Sequence, residues 1–417
     1  MSGLVASQSD IPEGDYFREM VHLLKREYVE PIGDDRKLAI GAIKGMVNSL
    51  KDPRCSFMDP NEYRAYLNSI NGRYEGIGAD LILDMNVGKG HAGNSSVDEI
   101  DSSEVQSLAI PRLTVVSLVP GGPAAQAGVK VGDWVDSVND HWVLNPVLVE
   151  QFRAASLAAS PAATKKLSPD QVSKRQAMAR KVGLDLRNRL KSMIMPLKAK
   201  DMLNLGANDS VKVAWHRNDK LVSTTILKKA STVSLVDSDG AAIALRFGEG
   251  SAERLKQLLT GKRELTLDLR NNATGNFQAM RDCLALLAPS GTYGEIHSDK
   301  PGKSRTLSIT TGNAKPPKLN LIVDRTTRGP AEIFARALSA KGLAKVSGKP
   351  AGDTSVLETV SLPDGSGYTL VMGEYRSKAS KPVTKKVAFR HSSERRAYAM
   401  REPDGSIVAM LKKGGNS

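Results

Sequence analysis

The sequence predicts an α/β multidomain protein: an N-terminal helical segment, a small β-rich module interrupted by helices, and a larger α/β core. Three observations predict it. Apolar residues recur at helical spacing near the N-terminus. Residues 210–229 alternate apolar and polar around a turn. From residue 242 onward, short apolar runs suited to buried strands alternate with helical patterns. A chain of 417 residues is long enough for two or three such domains.

The helical segment covers residues 1–70. Phe17, Met20, Val21, Leu24 and Tyr28 share one helical face, and Leu38, Ala42, Ile43, Met46 and Leu50 repeat the pattern. Asp59-Pro60-Asn61-Glu62 reads as a capping box with proline in the first turn, and starts a third helix through Tyr66 and Leu67.

The β-rich module covers residues 71–230. Gly72 to Leu83 and residues 113–143 supply strands, and Pro120 to Val129 a turn and a short helix that Gly128 ends. Asn139-Asp140 is a hairpin turn. Ser210 to Lys229 forms a second hairpin, turning at Asn218-Asp219. Its pairing with residues 72–152 makes the module discontinuous. Two insertions interrupt it. Residues 85–110 are Gly/Ser-rich and acidic and read as a surface loop. Residues 157–203 are helical: Ser168-Pro169-Asp170-Gln171 is a capping box, and Val182, Leu186, Leu190, Met193 and Leu197 follow at helical spacing. Pro196 is expected to bend or end that helix.

The core covers residues 231–380. Its expected elements are strand Ala242–Phe247, helix Ala252–Leu259, helix Phe277–Leu287, strand Leu321–Val323, helix Ala331–Leu338 and strand Ala344–Gly348. Gly342 ends the helix that carries Ile333, Phe334, Ala337 and Leu338. Residues 381–417 form a basic C-terminal segment with no readable role.

Composition excludes several classes. Cys55 and Cys283 form no motif, and the six histidines form neither an HExxH nor a Cys/His cluster, so neither a metal site nor another cofactor is expected. No apolar run is long enough to cross a membrane, and MSGLVASQSD is not a signal peptide. The net charge is +14, of which +8 sits in residues 161–203. That distribution predicts a local basic surface, not a nucleic-acid-binding protein. A basic amphipathic helix there can meet an anionic membrane or an acidic partner, or pack on its own domain and leave its cations solvated.

Residues Leu321 to Glu358 resemble the catalytic core of the carboxyl-terminal processing peptidases, PDZ-containing serine peptidases. Members carry Ser-Ala-Ser-Ala-Ser-Glu-Ile here, and Gly-Lys-Gly about 25 residues after the central serine. Leu265-Thr266-Leu267-Asp268-Leu269-Arg270-Asn271-Asn272 resembles the family's Leu-x-Leu-Asp-Leu-Arg-Asn-Asn, which a Gly pair follows; here Ala273-Thr274-Gly275 stands in its place. Asp52-Pro53-Arg54-Cys55-Ser56-Phe57 resembles the family's Asp-Pro-His-Ser-Ser-Phe connection. Residues 72–143 resemble a PDZ domain. The resemblance implies a PDZ embedded beside a crotonase-like α/β protease core, and a placement outside the cytoplasm.

It also implies a chemistry that this sequence lacks. The mechanism needs a serine hydroxyl, a neutral lysine as base and two N–H groups for the oxyanion. Aligned on Glu332-Ile333, the nucleophile position is Gly329, which has no side chain. The next residue, an oxyanion donor in the family, is Pro330, which has no N–H. The lysine position falls on Thr354, or on Asp353 with a one-residue gap. The expectation is a degenerate peptidase scaffold that binds peptides or protein partners as a scaffold or regulator. The alternative is a relocated nucleophile, Thr326 or Thr327, with Lys349 as base. Gly76-Ile77-Gly78 is expected to bind a peptide carboxylate through backbone N–H groups. Expected partners are extended peptides or protein C-termini, an active peptidase relative, a membrane surface contacted through the basic insertion, and a second copy of the chain through the N-terminal helices.

Overall fold

The computed structural model describes residues 14–50, 52–84, 110–218, 220–259 and 262–377. The expectations for residues 1–13, for nearly all of the 85–110 loop and for the 381–417 segment lie outside the described residues.

Helix α1 (Gly14–Glu27) and helix α2 (Asp35–Ser49) open the chain. Much of their apolar surface stays exposed: Met20, Leu24, Tyr28, Met46 and Leu50 face solvent, while Leu38, Ala42 and Ile43 are half-buried and Val47 is buried. Strand β1 (Ser56–Met58) and helix α3 (Pro60–Ile70) follow. The capping box forms as its residues require. The Asp59 carboxylate accepts the N–H groups of Asn61 and Glu62, and Glu62 accepts the N–H of Asp59 at 2.7 Å. Strand β2 (Arg73–Tyr74) leads into the module.

The module's strands are β3 (Ala79–Asp84), β4 (Arg112–Leu118), β5 (Trp134–Val138), β6 (His141–Trp142), β7 (Ser210–Arg217) and β8 (Lys220–Leu227). Its helices are α4 (Pro123–Gln126), α5 (Pro146–Ala158), α6 (Pro161–Thr164), α7 (Pro169–Leu190) and α8 (Pro196–Asn204). The sheet order is β3-β4-β5-β7-β8, with β6 beside β5. Because β5 pairs with β7, strands from both sides of the helical stretch close one sheet. Every second residue of β7 (Val211, Val213, Trp215) enters a core with Leu81, Leu113, Val115 and Val135.

The helical insertion differs from the expected residues 157–203. Helix α7 ends at Leu190, six positions before Pro196, and Pro196 opens α8 as its first residue. Proline is tolerated there because the first N–H of a helix has no intrahelical acceptor. Ala199 and Leu203 of α8 are fully buried in the module's own core, so α8 belongs to the module. Leu197 is exposed and lies off the face that continues through Leu190. The true hairpin is α5 against α7. It makes a separate small core of Trp142, Leu148 and Leu186, with Phe152, Val182, Leu190 and Met193 packed around it. Arg189 ties it down by bonding the buried Asp136 carboxylate at 3.2 Å.

Strand β9 (Ser231–Thr232) pairs with β2. The core follows: β10 (Val236–Ser238), β11 (Ile243–Leu245), α9 (Ser251–Leu258), β12 (Glu264–Asp268), α10 (Phe277–Leu287), β13 (Gly291–His297), β14 (Arg305–Ile309), β15 (Lys318–Ile322), α11 (Pro330–Ala340), β16 (Ala344–Ser347), β17 (Ser355–Ser361) and β18 (Gly367–Arg376). Strands β11, β12, β15 and β16 run parallel, with β10 antiparallel at one edge. A second, antiparallel sheet runs β1-β18-β13-β14, with β17 against β18, so β1 stitches the N-terminal segment onto the core. Ile333, Phe334, Ala337 and Leu338 are fully buried between the sheets. Each large side chain among them contributes roughly 1.5–3 kcal/mol relative to exposure.

Candidate functional site

The first site lies where the parallel strands end. After β15 the chain turns at Asp324. Its carboxylate accepts the Thr326 N–H at 2.8 Å and also the Thr326 hydroxyl proton. The Thr326 oxygen accepts the Asn271 N–H at 2.6 Å. The Thr327 hydroxyl accepts the Asp324 N–H at 3.1 Å and donates to the Leu269 carbonyl at 2.9 Å. Both threonines are buried. Their hydroxyls tie the ends of β12 and β15 together, and their protons are committed. Lys349 is exposed.

The chain then makes a sharp strand-to-helix turn. Arg328 donates its N–H to Asn272, and Gly329 donates its own to the Asp353 carbonyl at 2.9 Å. Gly329 sits at φ 49°, ψ −125° as the N-cap of α11. That backbone region is essentially reserved for glycine. A Cβ on Gly329 would meet nothing closer than the Ser355 carbonyl oxygen at 3.9 Å. Room for a side chain exists, and the strain of this turn is what glycine removes. Pro330 follows as the first helical residue, in contact distance of Gly275: a Cβ there would lie 3.6 Å from Pro330 Cγ.

The structure therefore brings Gly329, Pro330, Asp353 and Thr354 together. Asp353 accepts the Ser355 hydroxyl at 2.6 Å, and its other oxygen lies 4.0 Å from Arg328 Nη1. Arg54, bonded to Asp52 at 2.8 Å, approaches closely enough to feel the Asp353 charge. Thr354 donates its hydroxyl to the Tyr375 carbonyl at 3.2 Å. Glu332 organises this corner. It is fully buried, accepts the N–H groups of Gly352 (2.8 Å) and Asp353 (3.0 Å), and pairs with Arg336 at 2.6 Å. Burial pushes its carboxyl up, against the pull of Arg336 and the two N–H groups.

The second site is the loop before β3. Gly76 (φ 72°) and Gly78 (φ 68°) hold a turn that buries Ile77. Its donors face α8. The Ile77 N–H bonds the Leu203 carbonyl at 3.0 Å, and the Gly76 N–H bonds the Gly206 carbonyl at 2.9 Å. The Gly78 N–H has no partner among the described residues. Ala79, Leu81, Ala199 and Leu203, which flank the loop, are each 3% exposed or less.

Comparison with known proteins places these regions among related families. Residues 243–388 match peptidase family S41, residues 6–62 the N-terminal domain of the activating protease CtpB, and residues 114–146 a PDZ domain. In these regions the chain is similar to the carboxy-terminal processing peptidases. The carboxy-terminal processing protease CtpB of Bacillus subtilis (strain 168) is 26% identical over 369 residues, which cover 86% of this chain and 63% of that protein. The chain thus spans less than two thirds of that relative's length. The chloroplastic C-terminal processing peptidase of Tetradesmus obliquus is 24% identical, covering 85% of this chain and 68% of that protein. The structure of the photosystem II D1 C-terminal processing protease superposes with a TM-score of 0.54 at 19% identity, over 88% of this chain and 89% of that one, which shows the shared fold.

The S41 match spans Gly329, Pro330, Asp353 and Thr354, whereas the PDZ match begins after Gly76–Gly78. Three features of this chain are invisible to motif reading: the Glu332 tether, the Arg328 guanidinium beside Asp353, and the α8 carbonyls on the loop donors. The signal for the first was an acidic residue in the opening turn of a largely apolar helix, with an arginine four positions on.

Proposed function

We propose that this chain is a non-catalytic member of its family, which holds extended peptides or protein C-termini as a scaffold or as a regulator of an active peptidase relative. One observation carries the reading. The turn that presents a nucleophile in such hydrolases is built here around Gly329, which has nothing to attack with. Pro330 supports the reading, because it removes a donor where the oxyanion would form, and Asp353 and Thr354 supply no amine. The relocated set has weaker support, since both threonine hydroxyls are buried and bonded to their surroundings. Peptides would enter by the loop at Gly76, Ile77 and Gly78. Exposed apolar residues of α1 and α2 suit a second copy of the chain, and the solvent-facing cations of α7 suit an anionic membrane surface outside the cytoplasm.

The test is hydrolysis of unfolded casein by the purified chain, beside Gly329→Ser/Pro330→Ala/Thr354→Lys and Thr326→Ala/Thr327→Ala. No cleavage by the parent chain is expected. Cleavage that the threonine changes abolish would identify a relocated nucleophile and overturn the proposal. Light scattering over a hundredfold dilution tests the second copy.

A further inference from the structure

The guanidinium groups around Gly329 are not equally engaged. Arg54 pairs with Asp52 at 2.8 Å, Arg270 with Asp268 at 2.6 Å, and Arg336 with Glu332 at 2.6 Å. Arg328, directly before Gly329, is the exception. Its ion pair is with Oδ2 of Asp353 at 4.0 Å, beyond hydrogen-bonding distance. The other oxygen of that carboxylate is already held by Ser355, through the hydroxyl at 2.6 Å and the N–H at 3.2 Å.

Arg328 nevertheless sits where an unpaired cation is costly. Its side chain is 23% exposed, and its Nε is sealed from solvent without an acceptor. A buried charged donor left unpaired carries the full cost of its desolvation, and such a group calls for a partner. The Arg328 N–H is fixed on the Asn272 carbonyl at 2.9 Å, so the side chain starts from a set point. The surroundings suit an anion. A Cβ on Gly329 would meet nothing closer than 3.9 Å, so the turn leaves room beside the guanidinium. Helix α11 begins at Pro330 with no side-chain cap from Gly329, and the acidic residue of its first turn, Glu332, is spent on the 352–353 loop and Arg336. Arg325 is exposed and sets its Nη1 3.9 Å from the place of a Cβ on Gly132, at the edge of the β-module. The loop at Gly76 offers less, because its Gly76 and Ile77 donors are bonded to the Gly206 and Leu203 carbonyls.

We propose that the turn at Arg328 and Gly329 is the carboxylate site of this chain. The Arg328 guanidinium takes the terminal carboxylate of an extended peptide, with Arg325 at the rim. The inference rests on the peptide-binding reading for the source of the carboxylate, and on Arg328 for the site itself. A carboxylate matches the planar fork of a guanidinium through two parallel N–H···O bonds. Asp353 opposes the ligand, because it carries the same charge toward the same guanidinium. That opposition gives the site a signature that a merely structural arginine lacks: removing the Asp353 charge tightens the ligand.

Fluorescence anisotropy of the whole chain with a dye-labelled random hexapeptide pool reads the site. The free-acid pool should bind at least about tenfold more tightly than the same pool amidated at its C-terminus. Arg328→Gln should weaken the free-acid pool at least about tenfold and leave the amidated pool unchanged, with Arg328→Lys in between. Arg325→Gln, at the rim, should cost about threefold. Asp353→Asn keeps the backbone carbonyl that Gly329 bonds, and should tighten the free-acid pool. Urea midpoints establish that each variant is folded; if Arg328→Gln is not, Asp353→Asn and Arg325→Gln carry the test. Equal binding of both pools by the parent chain overturns the proposal. So does parent-like binding of the free-acid pool by folded Arg328→Gln, or weaker binding by Asp353→Asn. Calorimetry with inorganic phosphate separates the site from its occupant. Phosphate bound by the parent and lost in Arg328→Gln, with no peptide bound, sinks the peptide reading and leaves the anion site standing. A parent chain that binds neither anion sinks the site.

Discussion

The two sites of this molecule differ in opposite ways. Gly329 carries no side chain, yet the turn around it is tightly organised. It holds a strained conformation, Gly329 bonds the Asp353 carbonyl at 2.9 Å, and Glu332 fixes the facing loop. Around Gly76 the reverse holds. The residues that suit carboxylate binding are present, but two of the three loop donors are spent on α8 and the turn after it. A motif can be present while its atoms are unavailable, and a turn can be tightly organised where it carries no side chain. Residue identity and three-dimensional accessibility are separate requirements for function.

That contrast predicts where the structure is sensitive. The largest effect should come from Glu332→Ala. It strands the N–H groups of Gly352 and Asp353 in a buried corner and deletes the partner of Arg336. Leaving such groups unpaired costs on the order of 3 kcal/mol or more. Urea titration should show that loss. A change under about 1 kcal/mol would mean that the 352–353 loop is held by something else, and that the tightly organised turn has no anchor at Glu332.

Gly76→Ala probes the other site. Its Cβ would fall 2.1 Å from a backbone oxygen at a positive φ, so α8 or the loop must shift. The expected cost is about 2 kcal/mol. Exchange protection of residues 74–81 should collapse at the same time. Stability lost with protection intact would show that α8 is not what guards the loop.

Gly329→Ser is the milder counterpart. Space is available, so the cost is backbone strain alone, about 1–2 kcal/mol. It should yield no peptidase activity, because Pro330 and Thr354 remain. Measurable casein cleavage by this single variant would mean that the centre needs only its nucleophile restored.

How far the sequence reveals these features depends on range. Helix caps at Asp59 and Ser168, the buried run at Leu321 and the face through Ile333 and Phe334 are local patterns, and each forms in the structure. Pro196 is also local, and the helix does end before it. But α8 looks like the tail of a basic insertion until Ala199 and Leu203 are seen inside the β-module core. Its small size and mixed charge hide a two-residue apolar contact. The same limit applies to the sites. The absence of a hydroxyl at Gly329 can be read from one letter. That the Ile77 N–H is already bonded cannot, because its acceptor lies 126 positions away in the chain. Likewise α1 carries a readable apolar face, but periodicity does not say what covers it.

The smallest expected effect on folding lies outside both sites, in the basic hairpin. Arg180, Lys181 and Arg187 of α7 are solvent-exposed, while the hairpin is anchored by Leu186 and by Arg189 on Asp136. Changing the three exposed cations to glutamate should alter stability by no more than about 0.5 kcal/mol, since surface positions away from packed contacts rarely matter more. Binding to vesicles of phosphatidylglycerol should nonetheless fall at least tenfold in co-sedimentation, with no binding to phosphatidylcholine in either case. Each cation near an anionic surface contributes about 1 kcal/mol, so three reversals exceed what apolar contact from Met178 and Leu184 can offset. If the parent chain ignores anionic vesicles, the hairpin's cations are simply solvated, and its role reduces to bracing the β-module through Trp142. If the triple variant binds as the parent does, the membrane contact lies elsewhere, and the exposed face of α1 becomes the place to substitute next.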